Sequence, residues 1–487
     1  MKIRTFILYI ILFSIFNSCN YDFPEDRVFT AEDLGEINIE NFITAGDGFL
    51  AGVMDGSLYT DGQKKSVANI MASQFSLVDE LKFSQSSINS ENGYNLYVSA
   101  GSEIFGKWKY IFGNNTDEKA RRVLTKGESV KEYTGDKNAL NDISVPQLYV
   151  KQLSYSELPG NPFYSRIFKE NGTSISDQIV EKSPTFIICW MGINDFLNFA
   201  VHGATNPDDF TSGEDFQSNY TLLIDELIQN TNSKIVIGNL PSFEDLPFFY
   251  IRQYDFLKFT NKQLSTVYAR YSEYNDAVAK YNVGLPEDQK RPLISFNDNG
   301  VTLYPQPIVV IDESLPDAFY PDGKPLEKFR QLNEDEMALF SITDAMVESG
   351  MGSLIPINEE FYLNQKQISD LKERVFEFNR ILNSLAQKYP DRITLVDIAS
   401  PVKKIADTGK YDSWGFVVSE EIVYFEGVPL EGGLDLNSIF SLDGIHFNQR
   451  GNAFIANAFI REINNSFHAN IPMVDVNDYI GNLYHLP

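Results

Sequence analysis

The run Thr185-Phe186-Ile187-Ile188-Cys189-Trp190-Met191-Gly192-Ile193-Asn194-Asp195 decides the fold class. Its first part is short, unbroken in hydrophobicity and rich in β-branched and aromatic residues, and Gly, Asn and Asp follow at once. That pattern reads as a strand buried on both faces with a turn at its carboxyl end. Asn41 to Ala45, Lys234 to Ile237 and Arg392 to Val396 read the same way. Helical patterns separate them. Thr211 and Glu214 stand at capping-box spacing, and Phe216, Tyr220, Leu223 and Leu227 then share one helical face. A longer helix is expected over residues 365–387, with Ile368, Leu371, Val375, Phe378, Leu382 and Leu385 as its buried stripe, and a last one over 450–463. The alternation predicts an α/β fold: a three-layer parallel sheet with helices on both faces.

Residues 38–248 and 356–487 carry this alternation, and 249–355 interrupt it. The interruption holds a Tyr-rich helix, Val267 to Tyr281, and turns such as Pro305-Gln306-Pro307 and Tyr320-Pro321-Asp322-Gly323. An insertion between core strands is expected to form a lid or subdomain over one end of the sheet. Residues 70–140, rich in Ser, Asn and Gly, read as irregular. The 487 residues are 43% hydrophobic and 22% charged, which excludes wholesale disorder and coiled coil. With 67 acidic against 40 basic residues the net charge is −27, so no nucleic-acid partner is expected. There is no glycine-rich phosphate loop and no His/Cys zinc spacing, and no cofactor or metal is expected.

Lys2 and Arg4 precede the apolar run Phe6 to Phe16, which ends in Asn17-Ser18-Cys19. This is a secretory signal, residues 1–18. A small residue before a cysteine there resembles a bacterial lipoprotein signal, in which Cys19 carries the lipid; the other reading is an ordinary cleaved leader with an incidental cysteine. Residues 19–37 then form a lipidated, acidic tether, similar to the export tags of Bacteroidetes surface lipoproteins. The expected address is the bacterial outer membrane, at the cell surface or on its periplasmic side. With Cys19 acylated, Cys189 has no intramolecular partner.

Among the four histidines, His446 stands apart. In Asp443-Gly444-Ile445-His446 the carboxylate can turn back onto the imidazole and make a base of the other ring nitrogen. Asn194 projects at the carboxyl end of its strand, where open α/β sheets place their sites. Taken together, Gly192-Ile193-Asn194-Asp195, Asp443 to His446 and Phe42-Ile43-Thr44-Ala45-Gly46-Asp47-Gly48 resemble the SGNH/GDSL hydrolase family in order and spacing. Asp55-Gly56-Ser57 is similar to the continuation in its large lipoprotein branch, Asp142 to Gln147 to the second block, and Ile235 to Pro241 to a later strand and turn.

The resemblance implies an oxyanion donor in Asn194, a base in His446 and an orienting acid in Asp443. It also exposes two departures. The family's nucleophilic serine position is Gly48, and the glycine whose N–H joins the oxyanion hole is Gln147. Losing a triad nucleophile costs on the order of 10⁶ in turnover. The expectation is therefore a degenerate hydrolase that binds or scaffolds within an envelope transport or assembly complex, with an acylated glycan or carbonyl compound as the ligand class. The alternative is an esterase acting on acylated glycans or lipids, rescued by Ser57, Ser144 or a water.

Overall fold

The computed structural model describes residues 27–98, 101–111, 121–169, 172–297, 303–412, 421–425 and 427–485. The leader and Cys19 lie outside them. Strands β1 (Phe42–Gly46), β2 (Phe186–Trp190), β3 (Lys234–Gly238) and β4 (Ile393–Val396) form a parallel sheet in the order β1-β2-β3-β4. Every residue of β1 and β2 is buried, as expected of a sheet covered on both faces. Beyond β1, residues 141–145 run alongside it: Thr44 N–H donates to Asn141, and the N–H groups of Ile143 and Val145 donate to Thr44 and Gly46. This segment edges the sheet on the side away from β2.

Alternation sends Phe186 and Trp190 to one face and Cys189 to the other. On the first, Phe186 meets Phe42, Phe75 and Phe467 at ring-centroid distances of 5.8, 5.7 and 6.3 Å. Trp190 meets Phe49 and Phe459, both at 5.8 Å. The covering helices are Val67–Phe75 and Gln449–Ser466. On the second face, helices Ile175–Glu181, Gly213–Asn230 and Gln365–Lys388 pack side by side, with Phe216 stacked on Phe378 at 3.9 Å. The stripe expected on the long helix is buried throughout. The architecture is α/β, a parallel sheet flanked by helices.

Two local expectations need correction. The helix Gly213–Asn230 is capped one residue later than the Thr211–Glu214 spacing suggested: Ser212 Oγ accepts from Asp215 N–H and also donates to the Asp215 carboxylate. Residues 70–140 are not all irregular. They include the end of the helix Val67–Phe75 and an antiparallel pair, Phe105–Ile111 with Arg121–Lys126. The alternation Lys107-Trp108-Lys109-Tyr110 is the pattern of a half-buried strand, but it is short and set among Ser, Asn and Gly. Residues from Leu257 to Tyr362, running past the expected end of the interruption at 355, bury a cluster of their own, built on Tyr271, Tyr274, Val310 and Ile342. Its helix is Asn261–Tyr281, six residues longer at its start than expected, because Thr260 caps it through Gln263 N–H.

Phe186 fills the space between strand and helix rings with no freedom to collapse. Phe186→Ala is expected to lower the unfolding free energy by about 3–5 kcal/mol, read as a shifted guanidinium midpoint at unchanged slope.

Candidate functional site

Register brings the motif blocks together. Gly46 pairs with Trp190, so the turns leaving β1 and β2 emerge side by side, and Val145 N–H on Gly46 brings the 146–148 turn to the other flank. Three neighbouring chain ends thus deliver Gly48, Asn194 and Gln147 to one place. The fourth contributor is the loop before the helix Gln449–Ser466. There His446 Nδ1–H donates to Asp443 Oδ2 at 2.7 Å.

Gly48 is buried and opens a single helical turn whose cap is Asp47, the carboxylate accepting from Phe49 N–H at 3.0 Å. A Cβ at position 48 would stand 3.2 Å from His446 Nε2 and 3.1 Å from a Val53 methyl. Both contacts are tight, so a serine at 48 would need its neighbours to give by a few tenths of an ångström, and its hydroxyl would then fall within reach of Nε2. Gly48 itself offers His446 no group to deprotonate. Among the described residues no hydroxyl hydrogen-bonds Nε2. Ser57 and Ser144 are both buried, and neither hydroxyl reaches the imidazole.

Asp443 is more than an orienting acid. Its carboxylate also accepts from the N–H groups of Ile445, His446 and Gly56 and from the Ser441 hydroxyl. Burial alone would raise its pKa, but the adjacent His446 ring and these donors hold it below the usual carboxylate range. The Asp55–Gly56 turn locks the same block from the other side. Asp55 N–H donates to Ser441 Oγ, and its carboxylate accepts from Leu442 N–H.

The donors that would receive an oxyanion are engaged or covered. Asn194 is 2% exposed, and its amide donates to the Leu148 carbonyl at 3.3 Å. Gln147 adopts φ = +60°, a conformation that glycine takes freely and that costs a side-chain-bearing residue about 1–3 kcal/mol. Its Nε2 donates to the Leu96 carbonyl at 2.9 Å. This bond holds down a segment absent from the sequence reading. Asn95 Oδ1 accepts from the N–H groups of Tyr97 and Val98, and Leu96 N–H donates to Gly56. So anchored, the Tyr97 ring lies 5.9 Å from that of His446, while Phe49 packs on the imidazole at 4.5 Å. His446 is 1% exposed. The Tyr97 hydroxyl is buried without a hydrogen-bond partner, and burial together with the Asp443 and Asp47 charges pushes its pKa well up, so it stays protonated.

The other histidines sit elsewhere. His202 Nδ1 meets the Asn198 carbonyl in its own helix, and His468 lies exposed 3.8 Å from Glu36. Cys189 is a free thiol inside the sheet, its pKa pushed up to about 12 by burial. Among the described residues, no group of three or more His, Cys, Asp or Glu side chains could hold a metal ion.

The chain matches no protein-family model, no curated protein and no solved structure. Its functional reading rests on this geometry.

Burial raises Asp47 to about 6, against the smaller opposing pull of Phe49 N–H, His446 and the N–H groups of Gly192 and Ile193. Ionising it therefore costs more in the fold than in the unfolded chain, where it titrates near 3.8. The fold should lose stability as pH rises from about 4 to about 6, by up to about 3 kcal/mol relative to Asp47→Asn. Urea denaturation of both proteins across that window checks this. Parallel pH curves would contradict it.

Proposed function

We propose that the chain is a catalytically degenerate SGNH-type hydrolase that serves as a lipid-anchored binding or scaffolding subunit in a cell-envelope complex. Counting the 141–145 edge as the second strand in chain order, the sheet runs 2-1-3-4-5, a flavodoxin-like order that supports this ancestry. The observation that carries the reading is the empty Cβ position of Gly48, 3.2 Å from His446 Nε2. A base is aimed at a residue that has nothing to deprotonate. The closure over it by Tyr97 and Gln147 supports the same conclusion, since a carbonyl substrate would have to displace a hydrogen-bonded segment to enter.

Anchoring is part of the proposal and rests on Lys2, Arg4, the apolar run and Cys19. Among the described residues no helix is long and apolar enough to cross a membrane. Lipid at Cys19 would hold the body at the outer membrane through the acidic tether.

The esterase reading retains one favourable observation, the intact 2.7 Å Asp443–His446 pair. An assay of the full chain with p-nitrophenyl acetate separates the two. The parent protein is expected to show no turnover above buffer, and Gly48→Ser alone to stay slow because the site is covered. The combination of Gly48→Ser, Gln147→Gly and Tyr97→Ala is expected to gain turnover that a further His446→Ala removes. Parent activity abolished by His446→Ala would overturn the degenerate reading.

A further inference from the structure

A cleft of about 1040 Å³ opens elsewhere on the surface, and none of Gly48, His446 or Asn194 lines it. Its walls come from the strand pair (Trp108, Arg122), from the interruption (Phe256, Phe340) and from Gly409 and Tyr411, just past the helix Ala399–Thr408. That volume is at the upper end of small-ligand pockets, roughly 300–1,000 Å³, and suits an extended chain of rings better than one small metabolite.

Arg122 is the centre of the argument. Its guanidinium carbon lies 4.1 Å from the Trp108 ring centroid and 3.6 Å from that of Phe340. It donates to the Leu442 carbonyl at 2.9 Å and the Phe340 carbonyl at 3.2 Å. A guanidinium has five N–H donors in a planar fork, so these two bonds leave donors for a ligand. Burial draws its pKa down only to about 10, leaving it charged at neutral pH. Neither Arg122 nor the adjacent, exposed Arg121 forms an ion pair among the described residues, whereas Arg252 across the cleft is paired with Asp344. In a chain with 67 acidic residues, two unmatched arginines at one cleft do not reflect a shortage of carboxylates. Arg166 and Arg291 also bond carbonyls, but at 3% and 1% exposure they lie inside the fold, with no cleft before them.

The remaining lining is aromatic and polar together. Tyr411 is 44% exposed, while Glu348, Asp412 and Asp435, together with Asp344 on Arg252, line the cleft with carboxylates to which hydroxyl groups can donate. A ligand that satisfies all of this has flat apolar ring faces, many hydroxyls and at least one carboxylate. We infer that the cleft binds an acidic saccharide, with a uronate carboxylate on Arg122, the exposed Arg121 at the rim adding positive charge, and a neighbouring sugar ring against Tyr411. The inference does not depend on hydrolase ancestry, since none of the cleft residues belongs to the motif positions Gly48, Gln147, Asn194, Asp443 and His446.

Calorimetric titration of the full chain with tri-galacturonate, tri-glucuronate and tri-mannuronate, beside the methyl-esterified form of each, tests it. At least one acid trimer should bind, and its uncharged ester about tenfold or more weaker, the loss expected for a charge-assisted hydrogen bond. Arg122→Met should weaken the acid trimer by a similar factor. Because Arg122 also ties the hairpin to Leu442, the exposed variants Arg121→Gln and Tyr411→Ala serve as the second readout, each expected to reduce affinity severalfold with the thermal midpoint unchanged. Failure of all three acid trimers to bind, equal binding of acid and ester, or full affinity in both exposed variants would overturn the inference. Gly48→Ser should leave the titration unaltered, so the result is separable from the ester assay.

Discussion

A buried carboxylate must be satisfied or the fold rejects it, and Asp443 is satisfied by groups from two distant parts of the chain. Ser441, Ile445 and His446 supply local donors, and Gly56 N–H reaches in from the loop after β1. Removing the carboxylate would orphan those backbone groups and free the imidazole at once. The Asp443–His446 pair therefore has a structural reason to be kept whether or not it has anything to activate, and position 48 is under no such demand.

The same logic explains how the site closed. Gly48 needs no partner, so nothing in the fold resists its lack of a side chain. Gln147 does carry a cost in its left-handed backbone, and the bond to Leu96 together with the packing of the Tyr97 segment offsets it. The strain and the cover occur at one residue. The Gln147 amide holds the Tyr97 segment over the imidazole. The cover over His446 and the bare position 48 are thus separate features of one site.

What the sequence made legible follows from how local each signal is. Strand cores at Phe186 to Trp190 and Ile235 to Ile237 announce themselves because burial on both faces permits nothing but apolar residues, and observed ends fall within a residue of expectation. Asp443 and His446 are three apart, so their contact is readable as spacing. The covering of His446 by Tyr97 joins positions hundreds of residues apart through backbone carbonyls, which leave no mark on residue identity. The hairpin around Trp108 escaped for a related reason: its strands are half-exposed and basic, and their stability comes from pairing and from Arg122 lodged between rings. The cap at Ser212 rather than Thr211 shows the limit of motif spacing, since two adjacent hydroxyl residues satisfy similar patterns and only the turn geometry chooses.

Arg122 joins the two halves of this picture. By donating to the Leu442 carbonyl it fixes the peptide that immediately precedes Asp443, and Asp55 fixes the N–H of the same residue. The segment that carries His446 is consequently gripped from both sides, and the cleft wall built on it inherits that rigidity. Preorganisation of this kind reduces the ordering cost of binding, which is where affinity for flexible, hydroxyl-rich ligands is usually lost. A segment held this still is therefore well suited to hold a ligand still.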